Sequence, residues 1–172
     1  LLEAAPGLKL HCHGAGTVKP YVSDGEFERG IVVTSSAAAI AVGVAETTMA
    51  WMVIAAKQAL AGNIAAHAGG WKQEMPHPPR DFRHKTIGII GASHVGRRVI
   101  ELLERFENNV ILYDPYVSEA DASSLGVRKV ELTELMRTSD IVSLHAPDTT
   151  ETNGMINREM LELMQDGASF IN

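Results

Sequence analysis

From residue 86 onward, short apolar runs alternate with amphipathic stretches along the chain. Segment 86–90 is apolar on both faces, which is typical of a strand buried inside a parallel sheet. Segment 95–106 then carries apolar residues at the spacing of one helix face. The alternation continues, with strands predicted at 110–113, 127–130, 141–144 and 168–171, and helices at 118–125, 132–137 and 158–164. It predicts an α/β fold with a doubly wound parallel sheet in the strand order 3-2-1-4-5.

Before residue 86 the pattern is different. Segments 8–12 and 31–33 are short strand candidates, and residues 40–61, rich in alanine and methionine, predict one long helix. Gly62 and Asn63 are expected to end that helix, because both residue types adopt the left-handed conformation common after helix C-termini. Segment 69–79 contains two glycines and three prolines, which indicates a connecting loop.

The composition is that of an ordinary globular protein. Of the 172 residues, 45% are hydrophobic and 21% are charged, values that argue against a disordered chain or a coiled coil. A net charge of −6 gives no reason to expect a nucleic-acid partner. The single cysteine, Cys12, excludes a disulfide scaffold and favours a reducing compartment, and no signal peptide is visible, so we expect a cytoplasmic protein.

Two segments have alternative interpretations. The apolar segment 37–56 is interrupted by Glu46 and two threonines, which favours a buried helix over a membrane span, and we expect no membrane partner. His11 and His13 would share one face of a strand beside Cys12, as metal ligands could. No further cysteine or histidine follows at a ligand spacing, so we predict no metal site.

A glycine-rich turn follows the strand at 86–90. Gly88 lies in that strand, Gly91 directly follows it and Gly96 lies at the start of an amphipathic helix, which is the context of a dinucleotide-binding fingerprint. Gly91 would permit a tight turn and Gly96 a close helix–strand contact, while the helix N-terminus would offer free N–H groups to a pyrophosphate. Ser93 replaces the central glycine of the fingerprint, and its Cβ would crowd the phosphates.

An acidic residue, Asp114, ends the second strand of this sheet. It lies 23 residues after Gly91, where a carboxylate accepts hydrogen bonds from ribose hydroxyls and repels the extra phosphate of NADP. Pro115 and Tyr116 follow, without a basic residue that could bind that phosphate. The residues therefore favour NAD. Alternatively, Asp114 could have only the structural role of an Asp in a turn before proline. That interpretation does not predict a glycine turn upstream.

The loop after the fourth strand contains a histidine, in the sequence Leu144-His145-Ala146-Pro147. In the predicted strand order the crevice of the sheet lies between strands one and four, so the glycine turn and this loop should meet. His145 could be a catalytic base, or a histidine that packs or caps the loop. We favour packing, because no carboxylate is visibly placed to orient its ring.

These motifs together resemble the D-isomer-specific 2-hydroxyacid dehydrogenases. The resemblance is carried by Val44-Ala45-Glu46, the glycine turn, Tyr113-Asp114-Pro115, Leu144-His145-Ala146-Pro147 and the closing Gly167-Ala168-Ser169-Phe170-Ile171-Asn172. It implies that residues 1–40 are the C-terminal part of an α/β substrate domain. Residues 41–172 would be a Rossmann-like NAD-binding domain that includes the helix between domains and subunits. Both domains are expected to be incomplete, and the protein is expected to be a homodimer.

The resemblance also implies the roles of individual residues. NAD would contact Thr48, Gly91, Ala92, Ser93, His94, Val95, Gly96, Asp114, Pro115, His145, Ala146, Pro147 and Thr152. The loop Gly14-Ala15-Gly16 would meet the substrate carboxylate with its backbone. The family's catalytic Arg, Glu and His would lie beyond Asn172, so no catalytic residue is expected in this chain. Here His94 stands in place of an arginine of the family's turn.

The function implied is hydride transfer between NAD(H) and a D-2-hydroxy acid or its 2-oxo acid. The alternative is an NAD(H)-binding interaction module, like the co-repressors that share the fold. A third possibility, an NAD-linked hydrolase that releases homocysteine, is disfavoured by the Leu-His-x-Pro loop.

Overall fold

The computed structural model describes residues 2–172, which divide into two compact units. The first unit ends at Gly43 and the second begins at Val44. The sequence prediction placed the domain boundary between residues 40 and 41.

The first unit contains a small parallel sheet. Strands β1 (Leu10–His13) and β2 (Val32–Ser35) pair side by side, and helix α1 (Asp24–Glu28) connects them. A capping box starts α1, since Glu26 accepts hydrogen bonds from the N–H and hydroxyl of Ser23. Both strands lie one or two residues later in the chain than the sequence predicted.

The second unit is built on five parallel strands. They are β3 (Thr86–Ile90), β4 (Asn109–Tyr113), β5 (Arg128–Lys129), β6 (Ile141–Leu144) and β7 (Ser169–Ile171). Their order in the sheet is β5-β4-β3-β6-β7, which confirms the predicted doubly wound arrangement. The carboxyl ends of β3 and β6 are therefore neighbours, and they form the switch point of the sheet.

Within residues 2–172 the structure has seven α-helices. Besides α1 they are α2 (Ala37–Ala56), α3 (Ala59–His67), α4 (His94–Leu103), α5 (Glu119–Ser124), α6 (Leu132–Thr138) and α7 (Arg158–Glu162). A short 3-10 helix, Lys72–Glu74, lies in the segment predicted as a loop. Of the described helices, α2 alone is long and apolar enough to cross a membrane by length and composition, a test that core helices of soluble proteins also pass.

The predicted end of the helix at Gly62-Asn63 is wrong, because the helix ends earlier, at Ala56. Gln58 has φ = 52°, in the left-handed region, and its side-chain amide donates to the carbonyl of Ala55 at 3.1 Å. Gly62 instead lies inside α3. Composition favoured Gly and Asn for the break because they adopt this conformation most readily. The hydrogen bond from the Gln58 side chain to Ala55 cannot be predicted from a sequence pattern.

Alternate residues of the strands lie on opposite faces of the sheet, and each face packs in its own hydrophobic core. One face of the sheet packs on α2 and α4 in a cluster that includes Ala45, Met49, Met52, Ile87, Ile89, Val99, Ile100, Leu103 and Leu112. The other face packs on α6 in a cluster of Ile90, Ile111, Val130, Leu135, Met136 and Val142. Because both faces are buried, the central strands read as continuous apolar runs.

Gly88 lets helix α6 approach the sheet closely, which makes its substitution a test of this packing. We expect Gly88→Ala to lower the free energy of unfolding by about 1–3 kcal/mol in urea denaturation followed by circular dichroism. The added carbon would lie 2.5 Å from Cδ2 of Leu135 and would overlap the Ser139 hydroxyl.

Gly62→Ala is the matched control for this experiment. Its added carbon would meet the Met75 side chain at 3.6 Å, an ordinary contact. We expect a gain of about 0.5–1 kcal/mol, since alanine favours a helix over glycine. Equal effects of the two substitutions would contradict the close packing at Gly88.

Candidate functional site

The glycine turn after β3 lies directly against the loop after β6. Gly91 has φ = 92°, and a β-carbon there would lie 2.7 Å from the backbone nitrogen of Ala146 and 3.0 Å from the carbonyl carbon of His145. The N–H of Gly91 donates to the carbonyl of Tyr113 at 2.9 Å. The turn thus joins the carboxyl ends of three strands, where open α/β sheets bind their ligands.

Helix α4 begins at this turn. Ser93 is its N-cap, and the Ser93 hydroxyl accepts a long hydrogen bond of 3.4 Å from the N–H of Gly96. A β-carbon on Gly96 would overlap the carbonyl oxygen of Gly91, so glycine is required for the helix to start so close to the strand. The N–H groups of His94 and Val95 belong to the first turn of the helix, where N–H groups have no carbonyl partner within the helix. They can bind a phosphate oxygen.

Asp114 is held at the end of β4 by two backbone groups. One carboxylate oxygen accepts from the N–H of Ala92 at 2.8 Å, and the other accepts from the N–H of Tyr116 at 2.8 Å. Each carboxylate oxygen has a second lone pair, so Asp114 can still accept from a ribose hydroxyl. The side chain therefore both braces the glycine turn and presents a negative charge.

His145 is partly buried and neutral near pH 7. Burial lowers the pKa of its imidazole to about 4, and its Nε2 lies 2.9 Å from the hydroxyl of the buried Ser143. Its backbone N–H donates to the carbonyl of Ile90 at 2.7 Å. Burial alone lowers this pKa, and no carboxylate is involved. This geometry favours a packing role over general-base catalysis.

Thr152 closes the loop that follows His145. Its hydroxyl donates to the carbonyl of Pro147 at 2.6 Å and accepts from the N–H of Thr149 at 2.9 Å. The segment between Pro147 and Thr152 is thereby fixed as a compact turn at the carboxyl end of β6.

The turn, the end of β4 and this loop enclose one cleft of about 320 Å³. Its walls contain Ile90, Gly91, Ala92, Ser93, Tyr113, Asp114, Pro115, Tyr116, Ala146, Pro147, Thr149, Glu151, Thr152 and Met155. A volume above about 300 Å³ is in the range of small-molecule sites. A glycine turn, a helix N-terminus and a carboxylate at one cleft are the groups that suit a dinucleotide, so these residues fit NAD.

Some predicted contacts do not line this cleft. Gly96 and His145 are not among the wall residues of the cleft. The exposed side chain of His94 lines a separate depression, beside Arg97. Thr48 is buried in α2, where its hydroxyl donates to the carbonyl of Val44 at 2.9 Å. Contacts from His94 or Val95 would therefore be made by backbone N–H groups.

Six residues of the cleft were not among the predicted site residues: Ile90, Tyr113, Tyr116, Thr149, Glu151 and Met155. Tyr113 and Tyr116 flank Asp114, and Glu151 immediately precedes Thr152. Their proximity in the sequence to the predicted residues Asp114 and Thr152 could have indicated them. A second cavity of about 470 Å³ shares Ala146 and Thr152 with the cleft, so the loop after β6 contributes to both.

The predicted substrate loop lies in the first unit, directly after β1. The carbonyl of Ala15 accepts from the N–H of Ser36 at 3.0 Å. A β-carbon on Gly14 or Gly16 would meet no atom within 4 Å. Packing inside the unit thus gives no reason for glycine at either position.

The histidines around Cys12 have partners within the first unit. His11 Nδ1 lies 3.1 Å from a carboxylate oxygen of the buried Glu26, and the ring of His13 stacks on Tyr21 at 4.8 Å. The N–H of Ser23 donates to the Glu26 carboxylate and, together with His11, lowers its pKa. Within residues 2–172, no group of three His, Cys, Asp or Glu side chains is arranged to hold a metal ion.

A family model and several relatives match the chain. The model for the NAD-binding domain of the D-isomer specific 2-hydroxyacid dehydrogenases matches residues 49–172. D-3-phosphoglycerate dehydrogenase of Archaeoglobus fulgidus is 31% identical over 172 residues, which are all of this chain and 32% of that protein. Hydroxypyruvate reductase of Thermotoga maritima is 32% identical over 100% of this chain and 55% of its own length.

Solved structures agree with these matches. A glyoxylate reductase from Paecilomyes thermophila has a TM-score of 0.79 and 27% identity, over 94% of this chain and 49% of that one. The chain spans about a third of the length of the phosphoglycerate dehydrogenases it matches. The names of all of these relatives are those of dehydrogenases or reductases.

The partly buried, neutral His145 predicts a loss of stability in mild acid. Its folded pKa of about 4 lies below the ordinary value of 6.5, so between these values the unfolded chain binds a proton that the folded chain does not. The effect is absent above pH 6.5 and grows as the pH falls, to about 1–3 kcal/mol near pH 4.

Urea unfolding of the wild type and His145→Gln between pH 7 and pH 4.5 measures this effect. We expect the variant to be less stable at pH 7 but to lose less stability on acidification. His67→Gln, at an exposed position, is the control and should follow the wild type. Parallel curves for the wild type and His145→Gln would refute the assignment.

Proposed function

Because the chain belongs to the D-isomer specific 2-hydroxyacid dehydrogenase family, we propose that the protein transfers a hydride between NAD(H) and a D-2-hydroxy acid or its 2-oxo acid. The observation that carries the proposal is the contact of Gly91 with Ala146, which brings the glycine turn and the loop after β6 to one cleft. Asp114 lies in the same cleft, where a ribose-binding acid is needed.

The nicotinamide supplies the hydride chemistry when NAD is bound. The side chains and backbone of this chain bind and orient the cofactor. The first turn of α4 faces the pyrophosphate with the N–H groups of His94 and Val95, and Asp114 accepts from the ribose hydroxyls. The loop after β6 would contact the bound cofactor, and the partly buried His145 keeps that loop in place through its contact with Ser143.

The substrate would be a small 2-hydroxy or 2-oxo acid. In this proposal its carboxylate is bound by the backbone of Gly14, Ala15 and Gly16. The open space around both glycines supports the proposal, because a ligand that approaches a backbone closely requires the absence of side chains. The names of the relatives, which include hydroxypyruvate reductase and glyoxylate reductase, suggest acids of this class.

We assign no catalytic side chain to this chain. Reduction of a carbonyl requires a proton donor and a positive group for the carboxylate. The walls of the nucleotide cleft contain no histidine, lysine or arginine. In the proposal these groups come from residues outside the chain.

We further propose that the protein is a homodimer that uses the outer face of α2. Ala45, Met49 and Met52 form the buried stripe of this helix, while Val44 and Trp51, seven residues apart, lie on an exposed side. Helix α3 adds the exposed Leu60 and Ile64. Exposed apolar groups of this kind mark interaction sites.

Cytoplasmic localisation remains a proposal. Its support is the single cysteine, Cys12, which is exposed and free in the structure. A free exposed thiol is typical of a reducing compartment. Fractionation of cells that express the full-length protein would test it.

The test of the catalytic proposal is NADH oxidation by the full-length protein with hydroxypyruvate, glyoxylate and pyruvate. We expect turnover with at least one acid, and a kcat/KM for NADH about tenfold or more above that for NADPH, because Asp114 repels the extra phosphate. Asp114→Ala should lower kcat/KM with NADH. Binding of NADH without turnover of any acid would favour an interaction module.

The test of the dimer is light scattering. We expect twice the subunit mass for the wild type and a shift towards the monomer for Trp51→Glu. Leu161→Glu is the matched control, since Trp51 and Leu161 are both 45% exposed and Leu161 lies on α7. A monomeric wild type would contradict the proposal.

A further inference from the structure

Two aromatic rings lie at the ends of the segment that contains the proposed substrate loop, Gly14-Ala15-Gly16. His13 is the last residue of β1, and the loop follows it directly. The ring of His13 packs against the ring of Tyr21, with a centroid distance of 4.8 Å and an interplanar angle of 31°. One side-chain contact therefore closes segment 14–20, and both of its partners belong to the first unit.

The two glycines make the substrate loop costly to order. Neither Gly14 nor Gly16 has a φ in the left-handed region, and a β-carbon on either would meet no atom within 4 Å. Glycine loses more backbone freedom on ordering than any other residue. The carbonyl of Ala15 accepts from the N–H of Ser36 at 3.0 Å, which anchors one point of the loop. The restraint at the ends of the segment adds to this single anchor.

Both partners of the ring contact are themselves held by the backbone. His13 is paired with Ser35 in the register of β1 and β2. At the other end, the N–H groups of Tyr21 and Val22 both donate to the carbonyl of Val18, at 2.9 and 3.0 Å. The Tyr21 side chain is 63% exposed, so its ring does not fill a core. The ring contact thus joins two fixed points across a segment rich in glycine.

The polar edge of the His13 ring does not explain why this side chain is held here. Its Nε2 is buried, and within residues 2–172 it has no hydrogen-bond partner. A buried polar atom without a partner lowers the stability of a folded protein. The face of the ring, which contacts Tyr21, is therefore the part of His13 that acts on the loop.

We propose that His13 is a positioning residue, whose ring contact with Tyr21 holds the substrate loop in the shape that binds the substrate carboxylate. The inference rests on the proposed function, which assigns the carboxylate to the backbone of this loop. Without the contact the loop would spend part of its time in shapes that do not bind, and the affinity for the acid would fall in proportion. Because a carboxylate is bound alike before and during hydride transfer, the loss should raise KM and leave kcat nearly unchanged.

The experiment is steady-state kinetics of the full-length protein with hydroxypyruvate, glyoxylate and pyruvate, for the wild type, His13→Ala and His13→Phe. We expect His13→Ala to raise the KM for the acid by about three- to tenfold, as the loss of one aromatic pair predicts. His13→Phe keeps a ring and should retain the wild-type KM. The Kd of NADH, from fluorescence titration, should be unchanged in both variants, because the walls of the nucleotide cleft belong to the second unit.

Hydrogen exchange of the amides in segment 14–20 gives a readout that does not depend on turnover. These amides should exchange faster in His13→Ala and in Tyr21→Ala than in the wild type, and the double variant should show no further increase. Phe27→Ala is the matched control, because Phe27 is an exposed aromatic residue of the same unit that lies on α1. It should change neither the exchange of the segment nor the KM.

An unchanged KM or an unchanged exchange rate in His13→Ala would overturn the positioning role. It would also be overturned by a His13→Phe variant that behaves like His13→Ala, or by an equal rise of KM in Phe27→Ala. A wild type that turns over none of the three acids would overturn the proposed function, and the substrate role of the loop with it. The two failures are distinguishable, since the second appears in the wild type and the first only in the variants.

Discussion

The backbone of Gly91 lies against the backbone of His145 and Ala146, and the rest of the site depends on this contact. A β-carbon at Gly91 would push the turn after β3 away from the loop after β6. The same turn starts α4, whose first N–H groups can meet a phosphate. The cleft is therefore a consequence of strand order, because β3 and β6 are neighbours in the sheet and both end at the switch point.

Several polar groups of this region serve structure and binding together. Asp114 braces the turns on either side of it while it presents a charge to the cleft. Ser93 caps α4 where a glycine would give phosphates more room, so helix stability is favoured at the expense of space. His145 is neutral near pH 7 because burial lowers its pKa to about 4, and its ring lies against the hydroxyl of Ser143. The described walls of the cleft contain no histidine, lysine or arginine.

The periodic part of the sequence predicted the fold well. The strands of the large sheet, their parallel order and the glycine turn follow from apolar runs and from the position of Gly91. Predictions were weaker where a single local contact decides the outcome. The break between α2 and α3 occurs at Gln58, through a hydrogen bond to Ala55, and not at Gly62. The family relationship rests on motif order, and the matches to residues 49–172 confirm it.

By itself, the sequence determined the fold class, the family and the expected NAD site, because these depend on periodicity and on a few residues at fixed spacing. The tertiary structure decided which side chains share one cleft. It moved the side chains of His94 and Thr48 out of the expected site and brought Glu151 to the cleft that contains Asp114. The physical reason is that contacts between distant strand ends are set by strand order and loop closure. The strand order follows from the alternation of strands and helices along the chain, but loop closure is not encoded in the spacing of residues along one segment.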